Sequence, residues 1–362
     1  MCIYYEPCEL KGTGRVKSML RIVLYIMLGG LSFCLGGCAS MDALLSGGGR
    51  SAATPISTWT SYTTADGLAE RHVSAIAIAD DVVWLGTWGG LSRFDGENWI
   101  TYTAVDGLAN NKISSLAIGP YGALWVGTDG GGVTRFEEET QTWTTYQKND
   151  GLAGNRVWDI VLGPENELWF GCLDGGISRY HPKEDYWITY TGKDGMPSGA
   201  VWSLAFAPDG TLWIGTNGGG LAKFDGTEWV SYTQESTQGG LRSDHIYALA
   251  VTQDNVVWAG AWNGGISSFD GRKWTLYAGF MGAGDYRTSP NSNNNYTAVL
   301  APDGGLWFGG INGISRFDGR GWRTYHTRDG LIEKHGYSLA IAPDGTIWVG
   351  TENGVSCSGA VE

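Results

Sequence analysis

The sequence predicts an all-β protein, a seven-bladed β-propeller of four-stranded blades, and three observations carry that expectation. One tryptophan recurs in an apolar-Trp-apolar-Gly setting at Trp84, Trp125, Trp169, Trp213, Trp258, Trp307 and Trp348, spaced 41, 44, 44, 45, 49 and 41 residues apart. That is the period of a four-stranded blade. A second signature, Trp-x-x-Tyr, also occurs seven times: at Trp59/Tyr62, Trp99/Tyr102, Trp143/Tyr146, Trp187/Tyr190, Trp229/Tyr232, Trp274/Tyr277 and Trp322/Tyr325. Its first copy precedes any complete repeat, and the last repeat, ending Val355-Ser356-Cys357, lacks one. The third observation is composition: 58 Gly, 18 Trp, 17 Tyr and 17% charged residues over 362 positions suit short strands and tight turns.

At the start of the chain, the apolar run Ile22 to Leu35 trails Lys11, Arg15, Lys17 and Arg21 and closes on small residues, the order of a secretory signal. It is too short to span a bilayer as a helix. Its end, Leu35-Gly36-Gly37-Cys38, resembles the lipobox of bacterial lipoproteins, which implies cleavage before Cys38 and a lipid on its thiol. Met19 is an alternative start to Met1. Residues 1–37 are therefore expected to be removed, 38–57 to form a Gly/Ser-rich tether, and 58–359 to form the propeller. The protein is expected to be monomeric, exported and membrane-anchored, facing the periplasm or the cell exterior.

Within a repeat, Val73 to Ile78 reads as a first strand and Val82 to Thr87 as a second. A Gly-rich turn opens a third at Leu91 to Phe94, and Asp95-Gly96 leads to a fourth at Trp99 to Tyr102. Ala-Pro-Asp-Gly turns at Ala207, Ala301 and Ala342 place Pro and Gly where a tight turn requires them. Because the chain begins with the strand its last repeat lacks, Trp59 to Tyr62 is expected to complete the seventh blade and cover its open edge.

The composite Asp-Gly-Leu … Leu-Trp-x-Gly-Thr … Gly-Gly, as at Asp106-Gly107-Leu108 with Leu124-Trp125-Val126-Gly127-Thr128, resembles the two-component regulator propeller repeat. Asp194-Gly195-Met196 with Leu212-Trp213-Ile214-Gly215-Thr216 is a second good copy. The resemblance runs over residues 59–357, with Gly239-Gly240-Leu241 replacing the first motif in repeat five and no copy in repeat six. It implies an extracytoplasmic sensor module. Such propellers are often fused to a histidine kinase or cyclase, so in this chain any signalling output is expected from a separate partner.

Charge excludes one partner class. Without residues 1–37 there remain 20 basic against 35 acidic residues, and so anionic a protein repels phosphate backbones. Nucleic acid is not an expected partner. Cys172 and Cys357, in repeats three and seven, are expected as unpaired strand residues.

Fourteen tryptophans occupy the two repeat positions, and Trp88, Trp158, Trp202 and Trp262 do not. All four map to the face bearing the second-to-third loops and the approach to the first strands. There they suit stacking on sugar rings, contact with apolar ligands or partner side chains, or packing between blades. Asp129 and Asn217 lie on the same face. The residue before each first strand reads His72, Lys112, Arg156, Ala200, His245, Asn294 and His335. These groups suit a carboxylate or sulfate, a metal shared by His72 and His335, or simply solvated loop ends. Repeat six carries a long loop, Ala278 to Asn294, whose Tyr286 and Arg287 are candidates for a lid or specificity loop.

No catalytic constellation is present: Gly-x-Ser-x-Gly, His-Glu-x-x-His and Gly-x-x-x-x-Gly-Lys are all missing. The reading is a non-enzymatic recognition propeller without metal or cofactor, binding a small ligand, glycans included, or a protein partner. The alternative is a lyase or hydrolase similar in architecture to the streptogramin-cleaving propeller lyases, with His245 or His335 and a metal at the channel mouth.

Overall fold

The computed structural model describes residue 56, residues 58–277, residue 290 and residues 292–359. Among them are seven four-stranded antiparallel sheets, with helical geometry confined to single 3₁₀ turns. No helix of the described residues is long and apolar enough to cross a membrane. Blade one consists of Val73–Ala79, Val82–Thr87, Leu91–Phe94 and Trp99–Tyr102, in that spatial order. The inner strands of the next five blades are Ile113–Ile118, Val157–Leu162, Val201–Phe206, Ile246–Val251 and Asn295–Leu300. Blade seven orders Trp59–Tyr62, Gly354–Ser358, Ile347–Thr351 and Ser338–Ile341. Its outermost strand is thus the first of the described residues, paired Trp59 to Ser358 through Tyr62 to Val355.

The apolar cores lie between blades. Trp125 of blade two is buried against Phe170 and Tyr180 of blade three, at ring-centroid distances of 5.5 and 5.4 Å. Trp84 meets Phe136 at 5.9 Å and Trp169 meets Phe224 at 6.3 Å in the same sense. The last seam is built alike, with Trp348 of blade seven 6.1 Å from Phe94 of blade one and stacked on Tyr62. A recurring indole is therefore a recurring inter-blade wedge, and each one buries a large apolar area.

The Asp-Gly-Leu motif has a physical reason at each position. Asp66 Oδ2 accepts the Thr63 N–H at 2.8 Å and so closes the turn. Gly67 has φ +124°, and an added Cβ would stand 2.6 Å from Trp99 Cβ. Leu68 is buried in the seam. Gly330 (φ +111°) faces Trp59 in the same way, so the strand supplied by the start of the chain is recognised like any other fourth strand. In blade five Gly240 takes the position against Trp274. Cys172 and Cys357 are free thiols, the first buried and the second partly so, and burial pushes the Cys172 thiol up to about 12. Cys38 and the segments 1–37 and 38–55 lie outside the described residues.

Candidate functional site

Inner strands of adjacent blades touch in sequence and the ring closes between blades one and seven. Each inner strand is an edge strand of its sheet, and the seven together wall a central channel. At its mouth the first six inner strands carry the same irregularity: the pairing register slips between Val73 and Ala75, Ile113 and Ser115, Val157 and Asp159, Val201 and Ser203, Ile246 and Ala248, and Asn295 and Thr297. Such a bulge re-aims one side chain out of the ladder. In blade seven the Tyr337 N–H reaches Gly350 O at 2.9 Å, giving Tyr337 the equivalent place.

The re-aimed residues are Ser74 and Ser114 in blades one and two, then Trp158, Trp202, Tyr247, Tyr296 and Tyr337. All seven line one cavity of about 550 Å³, and Trp88 and Trp262 line it too. The serines tie blades together: Ser74 Oγ donates to Ile113 O at 2.6 Å, and Ser114 Oγ donates to Val157 O. The aromatics instead touch each other. Trp158 and Trp202 meet edge to face at 4.8 Å and 87°, Trp202 and Tyr247 at 4.5 Å and 85°, and Tyr247 and Trp262 at 5.8 Å and 88°. Trp262 continues to Tyr296 at 6.1 Å, Tyr296 to Tyr337 at 5.0 Å, Tyr337 to His72 at 4.8 Å and His72 to Trp88 at 4.0 Å. Lys112 Nζ sits 4.5 Å from the Trp88 ring centroid. The result is a nearly complete aromatic collar. Trp88 is 48% exposed and Trp262 39%, so both offer ring surface to solvent, whereas Trp158 and Trp202 are half-buried.

A charged arc closes the collar. Lys112 Nζ and Arg156 Nε each reach an Asp129 oxygen at 2.7 Å. Burial alone would raise the Asp129 carboxyl, but the hydrogen bonds from Lys112 and Arg156 hold it below its ordinary range. Asp159 also lines the cavity, next to Trp158. Its Oδ2 accepts the Leu204 N–H of blade four at 2.7 Å and its Oδ1 the Ile160 N–H at 2.9 Å. Burial pushes its carboxyl up to about 6 against those two hydrogen bonds. Burial lowers His72 from its ordinary value, against the opposing charge of Glu70, so its ring is neutral at pH 7. Burial, with neighbouring Tyr337 and Tyr247, pushes the Tyr296 phenol up to about 12.

The four tryptophans outside the repeat thus meet in one cavity, with His72, Lys112 and Asp129. The other basic candidates are spoken for. Arg156 is on Asp129, His245 Nδ1 is 2.6 Å from Asn217 Oδ1, and His335 Nδ1 lies 3.5 and 3.8 Å from Glu333 and Glu352. Among the described residues no group of three or more His, Cys, Asp or Glu side chains is placed to hold a metal ion, so His72 and His335 have no such cluster around them. Tyr286 and Arg287 lie outside the described residues. At the end of their loop, Asn294 Oδ1 accepts the Asn263 N–H at 2.6 Å beside Trp262. Tyr247, Tyr296, Tyr337 and Asp159 were not among the sequence candidates. Each tyrosine stands two positions after the residue singled out before its strand, His245, Asn294 or His335, and that offset was the available signal.

No curated protein matches the chain in sequence. Among solved structures, the extracellular domain of a putative hybrid two component system from B. thetaiotaomicron superposes with TM-score 0.72 and 20% identity, over 84% of this chain and 42% of that one. The extracellular domain of a putative one component system from the same organism gives TM-score 0.68 and 19% identity, over 84% and 40%. Virginiamycin B lyase from Staphylococcus aureus gives 0.63 and 15%, over 83% and 97%. The chain spans less than half the length of the two B. thetaiotaomicron domains, and all three likenesses are likenesses of fold. Residues 107–130 and 195–218, two good copies of the repeat, match the family model described as two component regulator propeller.

Proposed function

We propose that the protein is an exported recognition propeller, anchored by a lipid on Cys38, that binds a small ligand or a partner's side chain in its aromatic mouth without turning it over. One observation carries this reading: seven aromatic side chains from six blades converge on a single cavity of about 550 Å³, a volume suited to a small ligand. Packing between blades is already served by the buried repeat tryptophans, so Trp88 and Trp262, with ring surface in solvent, are free to bind. The likeness to extracellular domains of two component systems supports a sensor whose output passes through a partner, with glycans among the candidate ligands. The tether 38–57 would hold the propeller 58–359 off the membrane, and the loop of Tyr286 and Arg287 would border the mouth.

A panel of glycans and metabolites read by thermal shift tests the reading. A ligand at about a hundred times its Kd adds about 2.7 kcal/mol to stability. The double variant Trp88→Ala, Trp262→Ala should lose at least about 2 kcal/mol of binding while its own Tm stays near that of the parent. Wild-type affinity in that variant would move the site away from the mouth. A ligand consumed rather than retained, with loss of turnover in His245→Ala or His335→Ala, would favour the lyase reading. That reading has only the architecture of virginiamycin B lyase behind it. The anchor is checked separately by mass spectrometry of the mature chain: a diacylglyceryl group on Cys38 is expected, and an unmodified Cys38 rejects it.

A further inference from the structure

On the reading of the mouth as the binding site, which this inference shares, the chemistry of the collar narrows the ligand. The obvious basic groups already have partners or are uncharged. Lys112 and Arg156 share Asp129, His72 is neutral, and His245 and His335 face Asn217 and a glutamate pair. The acidic side is different. Asp159 receives both its hydrogen bonds from neutral amides, and no ion pair reaches it among the described residues. It adjoins Trp158 in the chain, through Leu204 it is bonded two residues past Trp202, and all three residues line the one cavity in which the two indoles meet edge to face.

Successive near-perpendicular contacts, Trp158 to Trp202, Trp202 to Tyr247 and Tyr247 to Trp262, turn ring faces and ring edges toward a common space. Ring faces carry negative potential, and a partly desolvated carboxylate adds a full charge. The protein already seats one cation on the collar, the Lys112 ammonium over Trp88. Its overall charge of −13 at pH 7 favours the approach of another.

We propose that the mouth takes an organic cation, a quaternary ammonium or protonated amine, seated among Trp158, Trp202 and Tyr247 with Asp159 as its counter-charge. The ring faces would hold the alkyl-ammonium surface, and the exposed faces of Trp88 and Trp262 would contact whatever the cation is attached to.

The test compares choline with 3,3-dimethylbutan-1-ol, its neutral isostere, by calorimetric titration of the mature chain. Choline should bind with a Kd at least about tenfold lower than the isostere, as a desolvated cation–π site implies. Asp159→Asn should shrink that ratio to less than about threefold. The ratio in the unmodified protein decides the matter even if the variant folds poorly. Equal affinities, or no choline binding at millimolar concentration, overturn the assignment. If a neutral saccharide then binds and Trp88→Ala, Trp262→Ala abolishes it, the mouth remains a binding site of other chemistry. If collar variants leave every ligand's affinity unchanged, the mouth is not the binding site at all.

Discussion

A carboxyl that is largely withdrawn from water and bonded only by amides is a cost the folded protein bears while it is ionised, and Asp159, partly buried in the channel wall, is such a group. Its ordinary pKa is 3.8 and burial in the channel wall pushes it up to about 6. The unfolded chain therefore releases this proton at lower pH than the folded one, and stability drains away as pH rises from about 4 through about 6. From that shift, the penalty grows by about 2 kcal/mol between pH 4.5 and 7.5. Asp159→Asn removes the ionisation, so its stability relative to the parent should improve by about that amount over the same interval, whatever its absolute Tm. Paired denaturant titrations at the two pH values check this, and a difference independent of pH would mean that Asp159 titrates normally. Asp129, held ionised by Lys112 and Arg156, contrasts with it across the same mouth.

At the scale of the inner strand, the bulge decides what reaches the channel. A regular strand sends alternate side chains to opposite faces of its blade, and the slipped register aims one more along the channel wall. Sequence periodicity locates these strands well, because Val73-x-Ala75 and its six counterparts recur in phase with the tryptophans. It does not reveal the bulge, which is a hydrogen-bond pattern and leaves no mark of composition. Trp158 and Trp202 were legible because tryptophan outside the repeat is conspicuous. Tyr247, Tyr296 and Tyr337 occupy the same position but disappear among 17 tyrosines, seven of which belong to the Trp-x-x-Tyr signature. The row of basic residues was visible in the sequence, but the carboxylate shared by two of them was not. Asp129 belongs to the turn after a second strand, and only the closed ring brings it between Lys112 of its own blade and Arg156 of the next.

For the whole molecule, the decisive feature is that a ring of blades has no ends only if the last sheet is completed by the first strand. Trp59–Tyr62 supplies a four-residue ladder to Gly354–Ser358, and Ser61 Oγ meets Ser356 Oγ at 3.0 Å. Its two aromatics serve different seams. Trp59 packs with the core between blades six and seven, 6.1 Å from Tyr325, while Tyr62 joins the core between blades seven and one, 5.1 Å from Phe94 and 5.7 Å from Trp99. Removing residues 58–64 would therefore loosen two of the seven seams and strip the cover from a strand edge that can pair with other chains. The loss of two partly buried aromatics and a strand's ladder is worth several kcal/mol, on the order of 10 °C in Tm for a body of this size. Trp59→Ala with Tyr62→Ala, which keeps the ladder, should lower Tm by less and leave the protein monomeric. The deletion should lower it further and add concentration-dependent association through the bare edge. Scanning calorimetry and light scattering on the two variants separate the contributions. An unchanged Tm and a monodisperse deletion variant would mean that the seventh blade holds without its borrowed strand, and that the inner-strand contacts with the seam between Trp348 and Phe94 suffice to close the ring.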